Sequence, residues 1–180
     1  RFEVLVDELV DVSRIQSGRI RLRREACDVS QIVIQVVERF QEELEEGTAH
    51  RFVVDAPLPI RGRWDAARLD QVITNIIANA LNYSPHGGMI RVSAHSQGDG
   101  VEVVVRDEGV GIPADERALI FQPFMRGSRA AEMTPGAGLG LFVSNEIVMR
   151  HGGTLSVESE PSAGSVFKVL LPHYPPAGTD

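Results

Sequence analysis

Residues 65–84 read DAARLDQVITNIIANALNYS. At about 100° per residue, Leu69, Ile73, Ile76, Ile77 and Ala80 fall on one face of a helix. Asn75, Asn79 and Asn82 gather within about 60° of one another on roughly the opposite face. Asp65 is a suitable N-cap, and the pattern predicts a helix reaching about Tyr83. Asparagine is a poor helix former because its amide competes for backbone hydrogen bonds, so three on one face cost stability. A merely solvated face would use Glu, Lys or Gln at lower cost. The row of amides therefore reads as a surface turned toward a polar ligand. An amide oxygen is a hard, neutral donor suited to Mg²⁺ beside phosphates.

Outward from this helix, alternation predicts strands. RIRLRREA, with Ile20 and Leu22 set against arginines, reads as a strand with one wet face. Asp28 or Ser30 caps a helix running to about Glu45, and Phe52 to Val54 form a second strand. Pro57 and Pro59 interrupt the chain between that strand and the helix capped by Asp65. MIRVSAHS and VEVVVRDE read as two strands joined by the hairpin QGDG. Residues 107–141 form a long Gly- and Pro-rich loop system with a short helix near Asp115 to Ile120. A helix from Leu141 to Arg150 ends at Gly152, and TLSVESE and SVFKVLLP close the chain as strands around PSAG. Helices with mostly hairpin-connected strands predict an α+β fold, a two-layer α/β sandwich. A loop system of that length inside a compact domain is usually functional.

Two glycine motifs lie in it. DEGVGIP, Asp107 to Pro113, comes directly after a strand and sets a carboxylate beside Gly109 and Gly111, where backbone can approach a ligand closely. A carboxylate accepts hydrogen bonds only, and an adenine amine is a fitting donor. GAGLGL, Gly136 to Leu141, runs straight into a helix, so Gly136, Gly138 and Gly140 leave backbone N–H groups free to form an anion nest. It carries no Gly-Lys-Ser/Thr, so this is not a Walker loop, and a loop rather than a strand precedes it, so it is not a dinucleotide fingerprint.

Taken in order, the motifs resemble the Bergerat ATP-binding fold of the gyrase, heat-shock chaperone, histidine kinase and mismatch-repair superfamily. The histidine kinase branch fits best. NIIANALNYSP looks like its N box, DEGVGIP its G1 box, FQPFMRG its F box and GAGLGL its G2 box. HGGTLSVESEPSAGSVFKVLLP looks like its closing turn and hairpin, and the resemblance covers about Asp28 to Pro172.

The resemblance implies a mixed, mostly antiparallel sheet with three main helices on one face, and ATP and Mg²⁺ as ligands. It implies that Asn79 ligates Mg²⁺ with Asn75 assisting. Asp107 binds the adenine amine, Tyr83 lies along the base, and Gly109, Gly111 and Ile112 shape its pocket. Gly136, Ala137, Gly138, Leu139, Gly140 and Leu141 frame the phosphates. Residues from Pro123 to Pro135 form a mobile lid anchored by the rings of Phe121 and Phe124, and Arg126 or Arg129 reaches the γ-phosphate. Asn82 stands where many relatives carry lysine, so it is a weaker phosphate contact.

The same resemblance separates kinase from hydrolase. Superfamily ATPases place a glutamate base one turn before the Mg²⁺ asparagine; here that position is Asn75, whose amide has no useful basicity. Phosphoryl transfer to a delivered nucleophile is favoured over hydrolysis. A degenerate nucleotide-binding or protein-interaction module is the other alternative. None of His50, His86, His95, His151 and His173 sits in a phosphoacceptor context, and all five read as structural or solvated.

Phe2, Leu5, Leu9, Val12 and Ile15 or Gln16 make one helical stripe ended by Gly18, suited to a core helix or to a bundle. The resemblance implies the second, with residues 1–18 ending the dimerisation and phosphotransfer hairpin, 19–173 forming the catalytic domain and 174–180 a loose tail. The acceptor histidine then lies upstream, and a response regulator receives the phosphoryl group. Arg1 rather than Met opens the chain, which suggests a piece of a longer protein. Its 180 residues, 43% apolar, allow a sizeable core. A net charge of −7 argues against broad binding to DNA or anionic membranes. One cysteine, Cys27, excludes an internal disulfide and fits a reducing compartment. We expect a cytoplasmic location, with a parent protein that is itself membrane-anchored or not, and no direct membrane contact by this segment.

Overall fold

The computed structural model describes residues 9–15, 17, 21–44, 48–57, 59–127 and 137–173. Residues 9–15 are helical (α1). Next come β1 (Glu25–Asp28), α2 (Val29–Glu43), β2 (His50–Asp55), β3 (Arg61–Trp64), α3 (Ala66–Asn82), β4 (Gly88–Gln97) and β5 (Gly100–Arg106). A 3-10 turn (Leu119–Phe121), α4 (Gly140–Arg150), β6 (Thr154–Ser159) and β7 (Ser165–Pro172) complete the order. Five strands form one sheet in the order β2-β4-β5-β7-β6, with β2 parallel to β4 and the remaining pairs antiparallel. β1 and β3 make a separate antiparallel pair.

Alternation along the strands decides which face is dry. Ile90, Val92 and Ala94 of β4, Val101, Val103 and Val105 of β5, and Phe167, Val169 and Leu171 of β7 are all buried. They meet the apolar faces of α2 (Val29, Val33, Val36, Val37), α3 (Leu69, Val72, Ile73, Ile76, Ile77, Ala80) and α4 (Val143, Ile147, Val148). Each buried Val, Leu or Ile contributes about 1.5–3 kcal/mol over leaving it exposed, so this seam is the main source of stability. The result is the expected two-layer sandwich with three main helices on one face.

Caps set where the helices begin. Asp28 Oδ1 accepts from the N–H of Ser30 at 3.0 Å and of Ile60 at 3.0 Å, fixing the start of α2 and the approach to β3 together. Asp65 Oδ1 accepts from the Arg68 N–H at 3.1 Å, and its Oδ2 accepts from the Arg23 N–H at 2.8 Å.

Three expectations need correction. Residues 21–24 are not a strand; β1 starts at Glu25, because the Arg23 amide is held by the Asp65 cap and the Arg24 guanidinium donates to the Arg150 carbonyl at 2.8 Å. Leu22 still packs on the core. β3 is an additional strand that periodicity does not announce, since only Trp64 in RGRW is apolar. Its fully buried indole lies over Gly62, where a Cβ would come 2.2 Å from the ring, and donates to the Pro172 carbonyl at 2.9 Å. The short helix near Asp115 to Ile120 is a run of turns ending in the 3-10 turn. Phe2, Leu5, Gln16, Gly18, Ile20, Glu45 and the tail from residue 174 lie outside the described residues.

α1 docks on the N-terminal half of α3. Val12 and Ile15 join the core, while Leu9 and Val10 stay exposed. Between them Asp11, 6% exposed, accepts from Arg68 at 2.7 Å and from the Gln71 amide at 2.8 Å. A buried charge held this way leaves a costly orphan when either partner is removed. Asp11→Ala and Arg68→Ala are therefore expected to be non-additive in denaturant unfolding, with a coupling of about 1–3 kcal/mol. Additive effects would place the pair's interaction near zero.

Candidate functional site

The carboxylate of Asp107, at the end of β5, is 5% exposed. Its Oδ1 accepts from the Gly109 N–H at 2.8 Å and from the Ser165 N–H at 3.1 Å. Burial pushes the Asp107 carboxyl above its ordinary value, and these two donors partly oppose that rise. No protein donor reaches Oδ2 among the described residues, so one oxygen is fixed by backbone and the other is open to a ligand.

The loop after Asp107 is shaped by contacts that exclude side chains. A Cβ at Gly109 would sit 2.2 Å from the Tyr83 carbonyl, which accepts from the Val110 N–H at 3.0 Å. Gly111 has φ +67, and a Cβ there would sit 1.9 Å from the Glu160 carbonyl. The β6–β7 turn clamps the loop from behind. Gly164 donates to the Gly109 carbonyl at 3.0 Å, Ser162 to the Val110 carbonyl at 2.7 Å, and the Ile112 N–H to Ser159 Oγ at 2.8 Å. Beside Gly109 lies Ser84, 2% exposed, whose hydroxyl has no hydrogen-bond partner among the described residues.

The asparagine row divides among different neighbours. Asn75, half-buried, donates from Nδ2 to Ser144 Oγ of α4 at 3.0 Å. A Cβ on Gly140 would sit 2.2 Å from Asn75 Oδ1, so the glycine lets the start of α4 close against this amide. Asn79 is half-buried, and its side chain makes no hydrogen bond among the described residues; Asn82 is exposed. The Tyr83 N–H donates to the Asn79 carbonyl at 3.0 Å, so the last turn of α3 leads directly to the Asp107 loop.

α4 begins with no side-chain cap. Its leading amides are the orphan donors of a helix N-terminus, where an anion is favoured. Leu139 is fully buried, and Ala137 and Leu141 pack against the core. Gly138, at φ +70, accepts from the Phe124 N–H at 3.1 Å, and a Cβ on it would sit 2.6 Å from the Met125 carbonyl. The segment between these points thus has its two ends joined. Of its two expected anchors, Phe121 and Phe124, only the first is found. Ile120 is buried and Phe121 packs on the core, but Phe124 is 61% exposed with φ +64. That left-handed backbone turns the ring outward. Arg126 is half-buried; Arg129 and Gly136 lie outside the described residues.

A family model described as histidine kinase-, DNA gyrase B-, and HSP90-like ATPase matches residues 64–175. The chain belongs to this family. The alginate biosynthesis sensor protein KinB of Pseudomonas aeruginosa is 37% identical over 175 residues, covering 96% of this chain and 28% of KinB. The sensor-like histidine kinase SenX3 of Mycolicibacterium smegmatis is 32% identical over 176 residues, covering 97% of this chain and 46% of SenX3. The chain thus spans less than half the length of either relative. Among solved structures, the mycobacterial sensor histidine kinase MprB superposes with a TM-score of 0.71 at 30% identity, over 85% of this chain and 99% of that one. Full-length ShkA in complex with AMPPNP gives 0.80 at 28% identity, over 98% of this chain and 37% of that one.

Sequence reasoning missed several residues that shape this family member's site. Ser144 lies four positions after Gly140, hence on the same side of α4, a spacing that could have been read. Ser159 and Ser165 bracket the last hairpin; Ser159 Oγ donates to the Gly164 carbonyl at 2.7 Å, and the two hydroxyls lie 3.0 Å apart. Ser84 comes after Tyr83 without any periodic signal. His151, expected to be structural or solvated, is fully buried.

The raised Asp107 pKa has a definite sign. A carboxyl that holds its proton more tightly folded than unfolded loses stability as pH rises through the folded pKa. Asp107→Asn should therefore leave the unliganded protein at least as stable at pH 7 as the unsubstituted chain. That margin should vanish as pH falls below the ordinary carboxylate range. A variant less stable at pH 7, read by urea unfolding, would show that the ionised carboxylate is a net stabiliser.

Proposed function

We propose that the chain is the ATP-binding catalytic domain of a sensor histidine kinase. In this reading residues 19–173 carry the nucleotide, residues 1–18 end the dimerisation and phosphotransfer hairpin, and 174–180 form a tail. The half-committed carboxylate of Asp107 carries the proposal. Two backbone donors hold one oxygen, and the other accepts the exocyclic amine of adenine. Tyr83 flanks the base, and Gly109, Gly111 and Ile112 shape its pocket. Full-length ShkA, a solved structure of similar fold, is a complex with AMPPNP, an ATP analogue, and this supports a nucleotide as the ligand.

The phosphates fall to the uncapped N-terminus of α4, framed by Gly136 through Leu141, with Arg126 or Arg129 on the γ-phosphate. No cluster of three His, Cys, Asp or Glu side chains that could hold a metal occurs among the described residues. Asn79, whose amide makes no hydrogen bond among the described residues, fits Mg²⁺ arriving with the phosphates. Asn75 gives its amide nitrogen to Ser144, which leaves its oxygen as a weaker second contact. Asn82, exposed, is the least engaged of the row. Mg²⁺ would neutralise developing charge on the phosphates.

The reaction is transfer rather than hydrolysis. The γ-phosphoryl P–O bond to ADP breaks as a P–N bond to an imidazole forms, and the imidazole comes from the hairpin of a longer protein. An aspartate of a response regulator then takes the group. The ATPase alternative lacks its base, because Asn75 is an amide bonded to Ser144. None of the described helices is long and apolar enough to cross a membrane. By the family resemblance we place the domain in the cytoplasm, whether or not its parent protein is membrane-anchored.

Calorimetry tests the reading. ATP should bind with a Kd of micromolar to millimolar order, tighter with Mg²⁺. Asp107→Asn should weaken it by about 100-fold or more, since an amide nitrogen then faces the adenine amine or a bonded acceptor is lost. Asn79→Ala should remove most of the Mg²⁺ dependence. No ATP binding by the unsubstituted chain would leave a degenerate interaction module as the better account.

A further inference from the structure

α3 and α4 run antiparallel and are tied by polar links at both ends. At one end Asn75 meets Ser144 and Gly140. At the other, the ring of His151, fully buried, sits between the helices. Its Nε2 accepts from the Asp65 N–H at 3.0 Å, and its Nδ1 lies 2.8 Å from the Ile147 carbonyl. A carbonyl can only accept and an amide N–H can only donate, so these partners require the neutral ring with its proton on Nδ1. Burial also disfavours the charged ring. The charged neighbours do not change this. Asp65 spends its carboxylate on the Arg68 and Arg23 amides, and Arg24 donates to the Arg150 carbonyl.

Asp65 and His151 are the residues at which α3 starts and α4 stops. From Asp65 to Asn75 is about 15 Å at 1.5 Å per residue, and from Gly140 to His151 about 16 Å. The two links therefore fix how far α4 reaches along α3. Asn79 lies one turn beyond the point where Gly140 meets Asn75. A slip of α4 by one turn, about 5.4 Å, would carry its leading amides past or short of Asn79. The interdigitated apolar contacts between the helices resist separation and restrict axial sliding. Directional hydrogen bonds at the far end add to this by specifying the register.

We propose that His151 is a positioning residue for phosphate binding: by joining the end of α4 to the start of α3, it sets the register that places the α4 N-terminus beside Asn79. This rests on the nucleotide reading above. The adenine end of the site is built on β5, the end of α3 and the β6–β7 turn, so His151 acts on phosphates and leaves the base alone.

The test compares ATP with adenosine on the same protein. His151→Phe keeps a buried ring and removes both hydrogen bonds, whereas His151→Gln keeps one acceptor and one donor. In the Phe variant, ATP affinity with Mg²⁺ should fall about tenfold or more while adenosine affinity stays within about twofold. The Gln variant should recover most of the ATP affinity. Equal losses for both ligands, or no loss, would overturn the proposal, because a purely structural histidine gives one or the other. If the Phe variant does not fold, nitrogen NMR of the unsubstituted chain decides. The His151 ring should be neutral with its proton on Nδ1, and its Nε2 signal should shift with ATP and not with adenosine. A signal indifferent to ATP would contradict the assignment. Failure of the unsubstituted chain to bind either ligand would instead count against the nucleotide reading itself.

Discussion

A buried carboxylate at the end of β5 is the constraint on which the site depends. Removing a charge from water is costly unless donors replace the lost hydration. Here the replacements are the amides of Gly109 and Ser165, one from the loop after β5 and one from the first residue of β7. That requirement brings the two strands, the loop and the β6–β7 turn to one point. It also explains Gly109, Gly111 and Gly164, since a Cβ at any of them would strike a carbonyl oxygen. Among the described residues the arrangement satisfies only one side of the carboxylate. A group so nearly buried and half-satisfied is a poor way to stabilise a fold and a good way to recognise a donor.

One stripe of α3 then serves two neighbours and leaves one amide open among the described residues. Arg68 and Gln71 hold Asp11 of α1, Asn75 meets α4, and Asn79 remains open at the C-terminal end. At about 100° per residue these positions fall within about 80° of one another around the helix. The apolar face of the same helix is sealed in the core, so the polar stripe is the route by which other elements reach the site. This accounts for asparagines where lysine or glutamate would make a better helix.

Much of the fold is legible in the sequence because the relevant signals are local. α3, β4, β5, α4 and the final hairpin are announced by clear 3.6- or 2-residue periods and by Asp or Gly at their ends. β3 is hidden because its partner is the distant β1 and its only apolar residue, Trp64, packs on Gly62 and Pro172 rather than in an alternating row. The strand expected around Leu22 fails for a related reason. Its arginines are engaged by Asp65 and Arg150, from elements far along the chain. The residues that touch a ligand in our reading are visible as motifs. Most of those that support them are not: Ser144 shares a helical spacing with Gly140, but Ser159, Ser165 and His151 act through tertiary contacts that leave no spacing in the sequence. Phe124 shows the limit from the other side. An aromatic residue suggests an anchor, yet its left-handed backbone points it outward and Ile120 is buried instead.

The central claim is that Asp107 presents an acceptor to the edge of a purine. Adenine offers an amine there, whereas guanine offers a carbonyl oxygen that would face the carboxylate without a proton between them. The most direct measurement is competition of ATP and GTP for a fluorescent ADP analogue bound to the chain in the presence of Mg²⁺. The account predicts that ATP displaces the analogue and that GTP fails to do so at about 100-fold higher concentration, the discrimination expected when a buried polar group is left facing a like partner. Displacement by GTP at concentrations similar to ATP would contradict it.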